Sequence, residues 1–402
     1  MTITSPRAAA PLPPYRSGWS LDQAYYFDQA IFDREIEAIF AKGWQFAGHD
    51  CEIPQAGDWF THRIGNDSVI VVRGRDGRIR GFHNVCRHRG SRLCSAERGK
   101  DRAFVCPYHA WAYDLSGKLL RDTMGEHGVP STELGLRPVA LRQVGGLIFL
   151  SLAENPPDFA AVDALLAPAL KPQGLGRAKV AKIVDYQVKA NWKVVWENNR
   201  ECFHCPTTHP EYIKANYDIQ LDDARHEAEI AARTQECAAA WASKGLEVPS
   251  LKSDMTGAWY RANRTPLRPG WVSETLDGRQ AGPLMGDYPD PEVGTLRVTV
   301  FPSLWLHGSC DHAMSTRVTP LGPQETAVRV YWLVAGHARE DVDYKLSDIM
   351  PFWQRTSEQD WVICEAVQQG VQSRGYVPGP FAKVKERNVA HFLDWYQGEL
   401  RA

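Results

Sequence analysis

The chain has 402 residues, with 48 acidic against 46 basic side chains and a formal net charge of −2. Charges of both signs are interspersed, which excludes a surface built to grip nucleic acid. No run of 18 apolar residues occurs, which excludes a membrane-spanning helix. Nine cysteines, odd in number and unevenly spaced, do not read as a disulfide framework.

Met1 to Ser20 lacks the apolar core of a secretory signal. Pro11, Pro13 and Pro14 suggest a flexible or extended leader, and a cytoplasmic location is expected. From Asp22 to Lys42, apolar residues such as Ile31, Ile36, Ile39 and Phe40 recur mostly at helical steps. From Trp44 the texture becomes β-like. Trp59–Arg63 and Ser68–Arg73 alternate, and Gly74-Arg75-Asp76-Gly77 links the latter to Arg78–Phe82 as a hairpin. The β texture runs to Gly146–Leu152. An all-β domain is therefore expected at residues 45–155, with a helical segment at 1–44 packed on an α+β domain at 156–402. In that domain a strand is expected at Val180–Val188 and a long helix from Trp192, then irregular structure through Gly286. Strands at Leu296–Phe301 and Thr326–Val334 follow, and Pro351 opens a last long helix.

Cys86-Arg87-His88 is C-x-H, and Cys106-Pro107-Tyr108-His109 is C-x-x-H. Each loop offers one thiolate and one imidazole. A Rieske [2Fe–2S] centre needs two cysteines on one iron and two histidines on the other, and this pairing supplies both. A Cys2His2 zinc site is the alternative, but such sites more often use C-x(2–4)-C and H-x(3–5)-H pairs. Tyr108 and Trp111 are candidates to shield the cluster or donate hydrogen bonds to it.

Downstream, Glu201, His204 and His209 form E-x2-H-x4-H. Glu201 and His204 would share a helix face. Pro206 would break or bend that helix and Pro210 would stop it, letting His209 turn back toward His204. Two histidines and one carboxylate make the facial triad of a non-haem Fe(II) oxygenase. Asp360 is the best third ligand. Counted from Phe352 at about 100° per residue, it falls on an apolar stripe with Thr356, Ile363 and Val367. Glu358 and Glu365 fall on the outer face. Two other readings compete: Cys202-Phe203-His204-Cys205 as a C-x-x-C redox pair, and His204 and His209 as two core histidines. Cys51, Cys94, Cys237, Cys310 and Cys364 read as buried small hydrophobes.

With both constellations in this order, residues 20–400 resemble the oxygenase (α) subunits of Rieske non-haem iron oxygenases. The resemblance implies an N-terminal all-β Rieske domain and a helix-grip α+β catalytic domain. It implies a homotrimer in which the cluster of one chain feeds the iron of the next. By motif position, Glu201 would be the carboxylate that bridges His109 of one chain to His204 of its neighbour. Many members carry Asp there. The Glu, with Phe82–Cys94 and Glu197–Cys202, is similar to the subgroup that demethylates glycine betaine and proline betaine.

The resemblance therefore implies hydroxylation of an N-methyl group by O2, with release of formaldehyde. Trp259, Tyr260, Trp271, Phe301 and Trp305 are aromatics available for cation–π contact with a quaternary ammonium carboxylate. His307 or an arginine is a candidate for its carboxylate. No G-x-G-x-x-G fingerprint and no second iron–sulfur cysteine set occur, so NAD(P)H would act only through a separate flavin/iron–sulfur reductase. The alternatives are an oxygenase of aromatic acids or aryl ethers, and a Rieske electron carrier.

Overall fold

The structure, a computed structural model, describes residues 11–123, 125, 128–217, 224–246, 259–383 and 385–402. The first ten residues of the expected leader lie outside these. Residues 11–20 are not a loose leader. Tyr15 and Ser17 both donate to the carboxylate of Asp394, at 2.7 and 2.9 Å, and Trp19 bridges to Pro380.

The expected helix at 22–42 is broken into three pieces. A short turn at Gln23–Tyr26 leads to α1 (Gln29–Glu35), and a wider π-type turn follows at Ile36–Ala41. Asp28 caps α1, its side chain accepting from the backbone of Ala30 and Ile31.

A seven-stranded antiparallel sheet comes next. Its strands are β1 (Gln45–His49), β2 (Asp58–Ile64), β3 (Asp67–Arg73), β4 (Ile79–His83), β5 (Arg98–Lys100), β9 (Pro138–Val144) and β10 (Leu147–Ser151), in the spatial order β1-β10-β9-β4-β3-β2-β5. Between β5 and β9 lies a small sheet of β6 (Phe104–Val105), β7 (Ala112–Tyr113) and β8 (Leu119–Arg121). The β3–β4 hairpin is present as read.

After α2 (Ala160–Leu170) a six-stranded antiparallel sheet begins. It runs β11 (Ala178–Val188), β16 (Glu325–Ala335), β15 (His312–Gly322), β14 (Leu304–Gly308), β13 (Thr295–Val300), β12 (Tyr260–Thr265). Inserted between β11 and β12 are α3 (Trp192–Asn199), α4 (Cys205–Thr208), α5 (Pro210–Ala215) and α6 (Ala224–Ser243). The stretch read as irregular through Gly286 thus holds a 20-residue helix and a strand. Alanine favours α6, but its large apolar residues are few, so periodicity does not reveal it.

The single turn α7 (Leu346–Ile349) precedes α8 (Pro351–Val371), which begins at its proline as expected. It is not the last helix. Val389, Phe392, Leu393, Tyr396 and Leu400 make the buried stripe of α9 (Arg387–Arg401).

One large core joins the N-terminal turns, α3, α8, α9 and one face of the six-stranded sheet. At its centre Glu35 of α1 meets the ammonium of Lys193 in α3 at 2.6 Å, both fully buried. Trp192 and Tyr396 also donate to the Glu35 carboxylate, at 2.7 and 2.5 Å. These bonds satisfy a charge that would otherwise be costly to bury. The two large sheets are stitched through β1. Phe46 N–H donates to the hydroxyl of Ser303 at 2.7 Å, and the His49 ring bonds that of Ser315 at 2.7 Å.

Candidate active site

The first cysteine loop leaves β4. The side chain of Asn84 pins it, accepting from the backbone of Leu93 and Cys94 and donating to the Cys94 carbonyl. The second loop joins β6 to β7. Both turn the same way: Gly90 N–H returns to the carbonyl of Cys86, and Ala110 N–H to that of Cys106, each at 3.0 Å. Each loop then passes through a left-handed residue, Gly90 (φ +75°) and Ala110 (φ +56°). Glycine adopts this freely, whereas alanine there is uncommon.

The loops place Cys86 and Cys106 inside and His88 and His109 at the rim. The Nδ1 atoms of the two imidazoles are 3.1 Å apart. Two ligands about 2.1 Å from one ion and at right angles are about 3.0 Å apart, so this pair fits a single iron. Tyr113 supports the cysteine side; its hydroxyl lies 3.3 Å from the Cys86 sulfur and accepts from Arg87 N–H. Burial disfavours the Cys106 thiolate, but N–H groups of Tyr108 and His109 outweigh it and hold the thiol below its usual range. Trp111 is buried and stacked on His88 at 5.0 Å, while exposed Tyr108 covers His109 at 3.7 Å. The sequence offered no signal for the role of Tyr113.

The second constellation sits after α3, whose start is capped by Asn191. Glu201 and His204 do not share a helix face. They lie in the link between α3 and α4, yet Glu201 Oε1 reaches His204 Nδ1 at 2.6 Å. Pro206 and Pro210 start α4 and α5 rather than stop a helix, because proline fits a first turn that needs no N–H there. His209, between those two short helices, turns its Nε2 toward Asp360 of α8 at 3.0 Å. His204 Nε2 is 3.2 Å from the same oxygen.

The ring orientations are set from behind by Glu201 and by Gln359, whose Oε1 is 2.7 Å from His209 Nδ1. Two imidazole nitrogens and one carboxylate oxygen thus converge at the spacing of ligands sharing one ion. Burial opposes the charged form of His204, but Asp360 and Glu201 outweigh it and push its pKa up to about 9. Asp360 is held below the usual carboxylate range: burial raises it, and the two histidines outweigh burial. Such a set attracts a cation. Asp360 lies on the buried side of α8 as read, but Val367 of the expected stripe is 41% exposed. The stripe runs instead through Trp353, Thr356, Cys364, Gln368 and Val371.

One reading of the cysteines needs correction. Cys202 and Cys205 are joined by a disulfide, their Cα atoms 5.1 Å apart across the turn into α4. The Cys205 sulfur lies within 4.8 Å of ligand atoms of both histidines. Its bond to Cys202 removes the thiolate, which leaves the carboxylate oxygen of Asp360 as the third candidate donor. Cys94, Cys237, Cys310 and Cys364 are buried as read, and Cys51 is half-buried.

A cavity of about 450 Å³ opens on His204, His209 and Asp360. Of the five aromatics singled out, Trp305 lines it. Phe301 is in the core, and Trp271 faces another pocket. Phe203, Tyr212, Tyr217 and Trp353 line it unforeseen. His307 also lines it, 3.4 Å from buried Glu274.

Residues 43–131 match the Rieske [2Fe-2S] domain, and residues 175–401 match the ring hydroxylating alpha subunit catalytic domain. The chain belongs to the Rieske non-haem iron oxygenase α subunits; it is an enzyme, and a bare electron carrier is excluded. It is a Rieske non-haem iron monooxygenase by its similarity to curated relatives. It is 44% identical to the glycine betaine monooxygenase oxygenase subunit of Chromohalobacter salexigens over 390 residues, 95% of this chain and 86% of that one. It is 41% identical to the subunit of the same name from Pseudomonas aeruginosa PAO1 over 385 residues, covering 95% and 89%. The fold also matches a solved quaternary ammonium Rieske monooxygenase, described for carnitine oxidation and inter-subunit electron transfer. That match has a TM-score of 0.71 at 20% identity, covering 94% and 96%. No helix among the described residues is long and apolar enough to cross a membrane.

Proposed function

We propose that the chain hydroxylates an N-methyl group of a quaternary ammonium carboxylate such as glycine betaine or proline betaine, and so demethylates it. Electron entry is assigned to residues 45–155 and oxygenation to 156–402, with the helical segment 1–44 packed on the latter. Cys86, His88, Cys106 and His109 would hold the [2Fe–2S] cluster. His204, His209 and Asp360 would hold the mononuclear iron, which when bound supplies O2 activation. One oxygen atom enters a methyl C–H bond. The other leaves as water with two electrons and two protons, and the hydroxymethyl group departs as formaldehyde.

This chain's own residues position the reactants. Glu201 and Gln359 orient the two imidazoles. Trp305, Trp353 and Tyr212 offer ring faces to a trimethylammonium group. Exposed Tyr108, Val85 and Val105 surround the cluster loops, where a separate flavin/iron–sulfur reductase would dock. In a homotrimer, Glu201 would connect the partner's cluster to His204, as the relative described for inter-subunit transfer suggests.

The observation that carries the substrate class is an aromatic-walled cavity on the iron ligands, in a chain 41–44% identical to glycine betaine monooxygenase subunits. The reconstituted enzyme with a reductase should release formaldehyde from glycine betaine or proline betaine. Release only from aryl ethers, or ring hydroxylation of benzoates alone, would overturn this reading.

A further inference from the structure

Away from the iron ligands lies a cavity of about 540 Å³, lined by residues of both large sheets. Strand register builds its floor. Asp185 of β11 pairs with Arg329 of β16, and Arg329 pairs with Arg317 of β15. Directly paired residues share a face, so these three side chains form one row. Two residues along, Gln187, Ala327 and Thr319 form the next row on the same face. Ala327, between two longer side chains, leaves room there. The all-β domain adds Thr61, His62 and Arg63 of β2, with Arg92 just after the first cysteine loop.

Four guanidinium groups and two carboxylates line this cavity. Arg329 takes both carboxylates. It holds Asp185 at 2.6 and 2.7 Å and also bonds Glu97. Arg317 donates to the carbonyl of Ala47, Arg63 to that of Gly65, and Arg92 is exposed. None of these three is in an ion pair with a described residue. Glu52 and Asp185 feel the charge of Arg317 at longer range, but each is held elsewhere, Glu52 by His49 N–H and Arg98. The lining therefore has a net charge of +2 while His62 is neutral.

His62 is an independent sign. It lines the cavity at 5% exposure, and its Nδ1 has no hydrogen-bond partner among the described residues. Arg317 Nε is likewise buried without one. Burial, then the charges of Arg317 and Arg329, holds the imidazole neutral, so one ring nitrogen keeps an N–H to donate. Buried polar groups are normally satisfied by protein, water or an ion. Here the net positive charge favours an anion.

We propose that this cavity binds a doubly charged oxyanion, a phosphate or a phosphate monoester, between Arg317, His62, Arg63 and Arg92. A guanidinium fork matches the oxygen geometry of such a group. The volume exceeds that of a bare phosphate, so room remains for an ester carrier. The bound anion ties the two domains together. Arg92 follows Ser91, whose carbonyl accepts from Cys86 N–H at 2.8 Å. The anion thus links the loop that carries a cluster ligand to the catalytic sheet. The site shares no lining residue with the iron cavity and holds whatever the substrate is.

The test uses the full chain loaded with both metal centres. Inorganic phosphate and glycerol phosphate are titrated by calorimetry, with chloride at matched ionic strength as control. The proteins are wild type, Arg317→Gln and the double variant Arg63→Gln/Arg92→Gln. Arg78→Gln, on the β3–β4 turn outside the cavity, is the surface control. Arg317→Gln should weaken phosphate roughly tenfold, the loss of a charge-assisted pair. The double variant, at exposed positions with little folding cost, should weaken it roughly threefold or more. Arg78→Gln should bind as wild type does. Phosphate should also raise the melting temperature of wild type more than that of Arg317→Gln, a comparison that removes its general stabilising effect.

Tighter binding of the ester identifies the occupant as an ester, and equal affinity identifies the free anion; both support the site. A wild type that binds neither more tightly than chloride overturns it. So does equal phosphate affinity in wild type, Arg317→Gln and the double variant. An equal loss in Arg78→Gln reduces the binding to general surface charge and also overturns the site.

Discussion

At His204 both ring nitrogens are engaged, Nδ1 by Glu201 and Nε2 beside Asp360. The two carboxylates have different duties, and substitution should separate them. Under the proposed function, Asp360→Ala would remove an iron ligand. Iron analysis should fall from roughly three irons per chain to about two, with the cluster's visible absorption intact. Glu201→Gln keeps the size of the side chain but removes its charge. It should retain the iron of wild type, while single-turnover oxidation of the cluster slows by roughly 10- to 100-fold. Full iron in Asp360→Ala would remove it from the ligand set. Fast cluster oxidation in Glu201→Gln would remove Glu201 from the electron path. The cysteines and histidines of both constellations stand out in the sequence because Cys and His at tight spacings have few other uses, and Asp360 because a carboxylate on an apolar helix stripe is rare. Gln359 and Tyr113 do not, because a polar side chain on a helix or strand is usually just solvated.

Among the elements, α1, α3 and α9 are locked by one buried carboxylate. Glu35 accepts from Lys193, Trp192 and Tyr396, residues 157 to 361 positions away in the chain. Glu35→Ala leaves the Lys193 ammonium buried without its partner. Urea unfolding should show a loss of about 3–5 kcal/mol; a loss below about 1 kcal/mol would show that water or another group replaces the carboxylate. Strand β12 shows why some elements escape a reading of pattern. Its sequence, Tyr-Arg-Ala-Asn-Arg-Thr, has no apolar run, because one face lines the cavity. On the other face Arg264 is buried against Tyr288 and Trp241. Helix α9 has a clear apolar period, so for it the signal lay in the residues themselves.

Across the molecule, the junction of the two large sheets contains buried histidines. Burial, then Arg317, pushes His49 down to about 3, and His62 is lowered by burial, Arg317 and Arg329. The unfolded chain takes up these protons near the ordinary histidine value of 6.5, and the folded chain does not. Their contribution is therefore complete above that pH and is lost as pH falls toward the folded value. At pH 5.5 each such histidine should cost up to about 1.4 kcal/mol of stability relative to pH 7.5. The urea midpoint should fall accordingly, and His49→Gln should flatten the decline; equal slopes in variant and wild type would remove His49 as a cause.

By itself the sequence determined the chemistry available: two thiols and two imidazoles in paired loops, then two histidines and an aspartate. Ligand spacing is a local property, and local geometry carries it. Only the tertiary structure decided which groups meet. Asp360 reaches His204 and His209 because α8 packs beside α5, and Arg200 neighbours Arg261 because both reach Thr299, the first by a hydrogen bond from the end of α3 and the second through the register of β12 against β13. Those contacts join residues some 60 to 160 positions apart. They depend on the packing of a shared core, which no short stretch of sequence encodes.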